Sequence, residues 1–196
     1  MLEEAPSLLA ALSDRDALAQ LSPDSLGRAY LAYMDENGFE AGALVALHQR
    51  AQARWERAGE APALDPARAW FRDRVALCHD LFHVVTGYGT DGAGEATLLV
   101  FSLSQMRCRS TSVLAFGATL EMWRLAGRRW LRYAFDAWRR GRTANVLLTQ
   151  PWETLLPLPL AQVRAATGVG EPGDAHPGGI LRGDPDATGS LQLVRG

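Results

Sequence analysis

His79, Asp80, His83 and Glu95 are the residues of this chain whose types and spacing read as chemistry rather than packing. On an α-helix advancing about 100° per residue, His79 and His83 fall about 40° apart on one face, and Asp80 stands about 60° from His83. Two imidazoles at i and i+4 with carboxylates nearby are a device by which helices hold a divalent metal. Eleven residues, Gly87, Gly89 and Gly92 among them, separate His83 from Glu95. That length suffices to end one helix, turn, and start a second, antiparallel helix whose first turn faces the end of the first, so Glu95 is expected to complete the site. The plain alternative is two histidines on a half-buried face. The aspartate between them counts against it, because burying His, Asp and His with no ion or hydrogen-bond partner carries a desolvation cost.

Such a site offers nitrogen and oxygen ligands to a divalent cation. Three ligands and an open position would be catalytic, whereas four filled positions would be structural or would have to release one ligand. His79, His83 and Glu95 come first as ligands and Asp80 next; Asp80 could instead orient a histidine or transfer protons. The donor set suits Zn2+, and two histidines with a carboxylate also describe a non-haem Fe2+ centre. Cys78 adjoins the motif and reads either as a ligand or as a small buried packing residue.

Four segments in register resemble one family. His79-Asp80-x-x-His83, eleven residues and Glu95 resemble the motif of the ubiquinone (coenzyme Q) biosynthesis proteins of the Coq-four family. Ser25-Leu26-Gly27-Arg28-Ala29-Tyr30 is similar to its Ser-Leu-Gly-x-x-Tyr segment, and His83-Val84-Val85-Thr86-Gly87 to its His-Val-Leu-Thr-Gly. Trp152-Glu153, then Pro159-Leu160-x-x-Val163-Arg164 and Gly168-Val169, resemble its ending. The resemblance implies metal-dependent loss of the C1 carboxylate from a polyprenyl hydroxybenzoate, coupled or not to hydroxylation, with zinc as the usual metal. On that reading Asp80 and Glu95 are the catalytic carboxylates. It also implies a polyprenylated substrate, work at a membrane surface beside other ubiquinone-synthesis enzymes, and a homodimer. Two other readings stand beside it: a scaffold that binds quinone precursors around a structural metal, and a His-Asp phosphohydrolase, for which His48 and His176 are poorly placed to supply the further ligands.

The elements that must position these residues read as helices. Ser22-Pro23-Asp24 is a helix-entry signal, and Leu26, Tyr30, Tyr33 and Met34 follow at helical spacing until Asn37-Gly38 stops the run. A second helix is expected over roughly 43–58. Asp65-Pro66 opens the helix that carries His79 and His83, and Thr90-Asp91 opens another that is expected to continue to Arg109. Along that helix Glu95, Ser102 and Arg109 fall at i, i+7 and i+14, so Ser102 and Arg109 become candidate substrate contacts, Arg109 for a carboxylate; its alternative is a surface or ion-paired arginine. Over 121–142, Trp123, Trp130, Ala134 and Trp138 share one side and Arg124, Arg128 and Arg132 another. That pattern suits a helix on an anionic lipid surface, and equally an ordinary helix with a core side and a solvated side. The expected fold is all-α, a single-domain multi-helix bundle over 22–169, preceded by a partly helical lead-in over 1–21 and followed by a Gly/Pro-rich tail over 170–196.

Composition bounds the rest. The 196 residues carry a net charge of only −2, which offers no reason to expect nucleic-acid binding. No apolar run reaches the roughly 20 residues that cross a bilayer, and the start of the chain is acidic, unlike a secretory or transit segment. All 20 basic residues are arginine and Ile180 is the only isoleucine, the mark of a GC-rich genome. Two cysteines suit a reducing compartment. Together with the resemblance these features place the protein in a bacterial cytoplasm, peripheral to the inner face of the membrane.

Overall fold

The computed structural model describes residues 5–106 and 109–170, with side chains from residue 8 onward except those of 109–111. Among these residues the fold is all-helical, as the sequence predicts, and contains no strand. Ten α-helices follow one another: α1 (Ala5–Ser13), α2 (Arg15–Gln20), α3 (Leu26–Asn37), α4 (Ala43–Ala58), α5 (Pro66–Thr86), α6 (Gly92–Gln105), α7 (Arg109–Ala126), α8 (Arg128–Thr143), α9 (Trp152–Leu155) and α10 (Leu160–Thr167). One 3-10 turn, Leu147–Thr149, precedes α9. No helix among the described residues is long and apolar enough to cross a membrane. The tail expected over 170–196 lies, from residue 171, outside the described residues. Among the described residues, contacts gather the chain into two compact units, each built from separated stretches: 5–84 with Leu148–Leu160, and Val85–Leu147 with 161–170.

In the first unit the helix-entry signal acts three residues later than the sequence suggests. Ser25, not Ser22, caps α3, its Oγ accepting from the Arg28 amide at 3.2 Å. The two preceding amides of the first turn, Leu26 and Gly27, donate to the carbonyls of Leu158 and Leu156, both at 2.8 Å. A distant segment thus satisfies the donors that a free helix start leaves open. Ser22 turns to Asp24 instead. Gly27 is required here, since a Cβ would stand 2.5 Å from the Leu21 side chain and 3.2 Å from the Leu156 carbonyl. The Ser-Leu-Gly segment is therefore a docking device, and its Tyr30 is buried in the same core as Leu18, Leu26 and Met34.

Arg74 accounts for the Trp152-Glu153 pair in physical terms. It sits on the buried stripe of α5 that continues through Cys78 and Leu81. Its guanidinium donates to Glu153 Oε1 at 3.2 Å, to the Gln150 carbonyl at 2.7 Å and to the Leu148 carbonyl at 3.4 Å. A cation placed among apolar residues needs such partners. Trp152 is fully buried, with its ring 6.3 Å from that of Phe82.

In the second unit α6 is largely buried and packs against α8 and α7. Trp130, Ala134, Ala137 and Gly141 form the buried stripe of α8. At Gly141 a Cβ would stand 2.5 Å from the Phe101 carbonyl, so only glycine allows α6 and α8 to approach as they do. The final carbonyls of α5 are capped here by side chains: Arg164 donates to Val85 at 2.9 Å and Arg140 to Thr86 at 3.2 Å. Cations at a helix C-terminus also oppose its dipole.

Two expectations require correction. The helix after Asp91 ends at Gln105, with Met106 extended (φ −118°, ψ 104°), so Arg109 opens α7 and does not continue the Glu95–Ser102 stripe. The helix expected over 121–142 is broken at Gly127, whose φ of 58° and ψ of −139° only glycine adopts readily.

Replacing Arg74 by Leu removes the cation paired with Glu153 and with the Gln150 and Leu148 carbonyls, and is expected to cost about 3 kcal/mol in urea unfolding. Arg68→Leu, which removes only an exposed pair with Asp65, is expected to change stability by less than about 1 kcal/mol.

Candidate metal centre

His79 and His83 lie on adjacent turns of α5, half-buried and buried respectively. Their Nε2 atoms are 3.3 Å apart, with the rings edge to face at 87°. Glu95 stands in the first turn of α6, half-buried. One ligand atom from each of His79, His83 and Glu95 lies within 4.8 Å of the others. Two nitrogens at neighbouring corners of a tetrahedron with Zn–N bonds of about 2.0–2.1 Å stand about 3.3 Å apart, which is the separation the two imidazoles have. The nitrogens thus have the spacing of neighbouring ligands, and with the Glu95 oxygen drawn in from within 4.8 Å the three could hold a divalent cation.

Local sequence explains the placement of Glu95. The turn leaves α5 through Gly87, at φ 79°. Asp91 then caps α6, its carboxylate accepting from the Gly94 amide at 2.7 Å. Gly94 carries no side chain because the Gly89 carbonyl oxygen occupies the place, 2.0 Å from where a Cβ would be. This backbone contact between turn and first helical turn sets where Glu95 begins.

Asp80 does not enter the three-residue group. It is half-buried on α5, and its charge, after burial, helps push the Tyr30 phenol well above its usual range. Tyr30 is therefore a neutral hydroxyl. Cys78 is also outside the group, and burial pushes its thiol up to about 12. Ser102 is buried on α6, and Arg109 is on a different helix. Sequence reasoning passed over Tyr33, whose ring stacks on His83 at 5.8 Å. It also passed over Arg74, though an arginine on an apolar stripe signals a buried partner.

A sequence profile described as coenzyme Q (ubiquinone) biosynthesis protein Coq4 matches residues 1–173. The chain belongs to the Coq4 family. Among its Coq4 relatives, the mitochondrial ubiquinone biosynthesis protein of Eremothecium gossypii is 28% identical over 176 residues, covering 89% of this chain and 50% of that protein. The Leishmania braziliensis Coq4 homologue is 29% identical over 156 residues, 76% of each chain. The chain spans about half the length of the fungal relatives it matches. Among solved structures, a Nostoc punctiforme protein assigned provisionally to ubiquinone biosynthesis has the same fold, with a TM-score of 0.61, 20% identity and coverage of 86% of this chain and 79% of that one.

Gly94→Ala forces the turn away from α6 and is expected to destabilise the protein by about 1–3 kcal/mol while lowering the metal retained on purification. Gly117→Ala, on α7 with open space around it, is expected to be neutral or stabilising by up to about 1 kcal/mol. Thermal melts and metal analysis of the two variants measure both effects.

Proposed function

We propose that the protein serves ubiquinone synthesis as a metal-dependent decarboxylase that removes the C1 carboxylate of a polyprenyl hydroxybenzoate. The observation that carries this reading is the convergence of His79, His83 and Glu95 in a chain of the Coq4 family. In the reaction the C1–carboxylate bond breaks, its electron pair stays on the ring, carbon dioxide leaves and C1 takes a proton. Zn2+ is the metal assigned, with Fe2+ the alternative; either would withdraw charge from a bound carboxylate or phenolate and orient the ring.

The chain's own residues divide the remaining work. His79, His83 and Glu95 hold the cation. Asp80, outside that group and on the same helix, is the carboxyl group assigned to deliver the proton to C1. Tyr30, neutral beside it, keeps its own proton.

A peripheral membrane position is part of this proposal, and the surface of the second unit supports it. On α7, Val113, Leu114, Phe116, Leu120 and Trp123 are exposed, and on α8 Phe135 and Trp138 stack outward with Arg142 over the Trp138 ring. Arg128, Arg132 and Arg139 are exposed on α8 as well. The lipid-facing residues differ from those the sequence suggests: Trp130 and Ala134 are core, while Phe135 is 63% and Trp138 39% exposed. The same surface favours a second reading, a scaffold that presents lipid precursors to other enzymes of the pathway, as a homodimer or otherwise, around a structural metal. Release of carbon dioxide from a short-chain prenyl hydroxybenzoate by the purified protein alone separates catalysis from scaffolding.

His79→Ala and Glu95→Ala are expected to lose metal and to leave a quinone-deficient strain without ubiquinone, with helical content retained. Asp80→Asn is expected to keep the metal and lose the conversion. Restoration of ubiquinone by His79→Ala or Glu95→Ala would overturn the catalytic reading, and metal analysis of protein purified without oxygen identifies the ion. Flotation with anionic vesicles is expected to fall when Arg128, Arg132 and Arg139 are replaced by Glu, and an unchanged bound fraction would remove the membrane assignment.

A further inference from the structure

Tyr33 supplies no ligand, yet its ring lies nearly parallel to that of His83, with centroids 5.8 Å apart and planes at 19°. Phe39 also meets the Tyr33 ring, edge to face at 6.1 Å and 69°. Beyond His83, the His79 ring stands edge to face at 4.7 Å. Four rings therefore run in series, Phe39, Tyr33, His83 and His79.

The series is built by the way α3 ends. Gly38 adopts φ 65°, its amide donates to Asp35, and the Phe39 amide donates back to the Met34 carbonyl at 2.9 Å. This is the paired hydrogen-bond pattern in which the second residue after the helix folds back on its last turn. Phe39 is that residue, and Tyr33 is what it covers. Tyr33 thereby packs against Phe39 as well as His83.

An imidazole ring turns easily about its second side-chain torsion, because that torsion has broad minima. The Nε2 of His83 keeps its direction toward the Nε2 of His79 only if something holds the ring plane. We infer that Tyr33 is a positioning residue for the metal centre, its stacked ring holding the His83 imidazole in the plane that aims Nε2 at the point shared with His79. The stack has an electronic consequence too: an imidazole bound to a cation is electron-poor, and the face of a phenol ring favours it. The inference rests on the metal reading proposed above.

The test uses the full-length protein, stripped of metal and titrated with Co2+ against a chelator, with the visible spectrum of the bound ion recorded. Tyr33→Phe keeps the ring and is expected to match wild type in affinity and band shape. Tyr33→Leu removes it and is expected to weaken Co2+ retention roughly tenfold and to shift the visible band; Tyr33→Met, which retains bulk without a ring, should do the same with a metal-free melting temperature near that of wild type. Wild-type affinity and spectrum in the Leu and Met variants would overturn the positioning role, as would a loss in Tyr33→Phe equal to that in Tyr33→Leu. A wild-type protein that binds no Co2+ would overturn the metal reading itself and the positioning role with it, so the two failures are distinguishable.

Discussion

Two imidazoles one helical turn apart are useful together only if both rings keep their nitrogens aimed at the same point. In this protein the distance between the two Nε2 atoms is 3.3 Å, and the architecture around α5 is arranged to keep it so. The helix supplies the spacing and direction of the side chains. Ring orientation comes from the stack of Tyr33 on His83. Glu95 depends on a third device, the close backbone approach of Gly89 to Gly94, which sets the first turn of α6.

Around this centre, residues that look chemical in the sequence turn out to do mechanical work. Ser25 and Gly27 dock the start of α3 on the carbonyls of Leu156 and Leu158. Glu153 is the counterion of Arg74, and Arg164 caps the end of α5. A motif in this chain therefore marks two different things: a group that can meet a ligand, or a contact at which only one side chain completes the hydrogen bonding of a buried backbone. Burial and partner lists separate the two, whereas residue type does not.

The exposed aromatic and arginine residues of α8 show the same dependence on packing. Residues 130, 134, 137 and 141 form the buried stripe against α6, and Leu131, Phe135 and Trp138, each one position further along, form an apolar stripe about 100° round the helix that remains open to solvent. Both stripes contain a tryptophan, so hydrophobic spacing alone offered two inward faces.

By itself the sequence determined the all-helical class, because caps such as Asp65 and Asp91 and apolar spacing of three and four residues are local signals that need no distant partner. It also determined that His79 and His83 share a face, since helical geometry alone places them there. Tertiary structure decided what depends on contacts between residues far apart in the chain: that Ser25 rather than Ser22 caps α3, that Arg109 belongs to α7, that Trp130 is core while Trp138 is exposed, and that Tyr33 lies on His83. Each of these turns on which distant backbone or side chain satisfies a buried donor or covers an apolar ring, and that information is carried by the fold rather than by spacing along the chain.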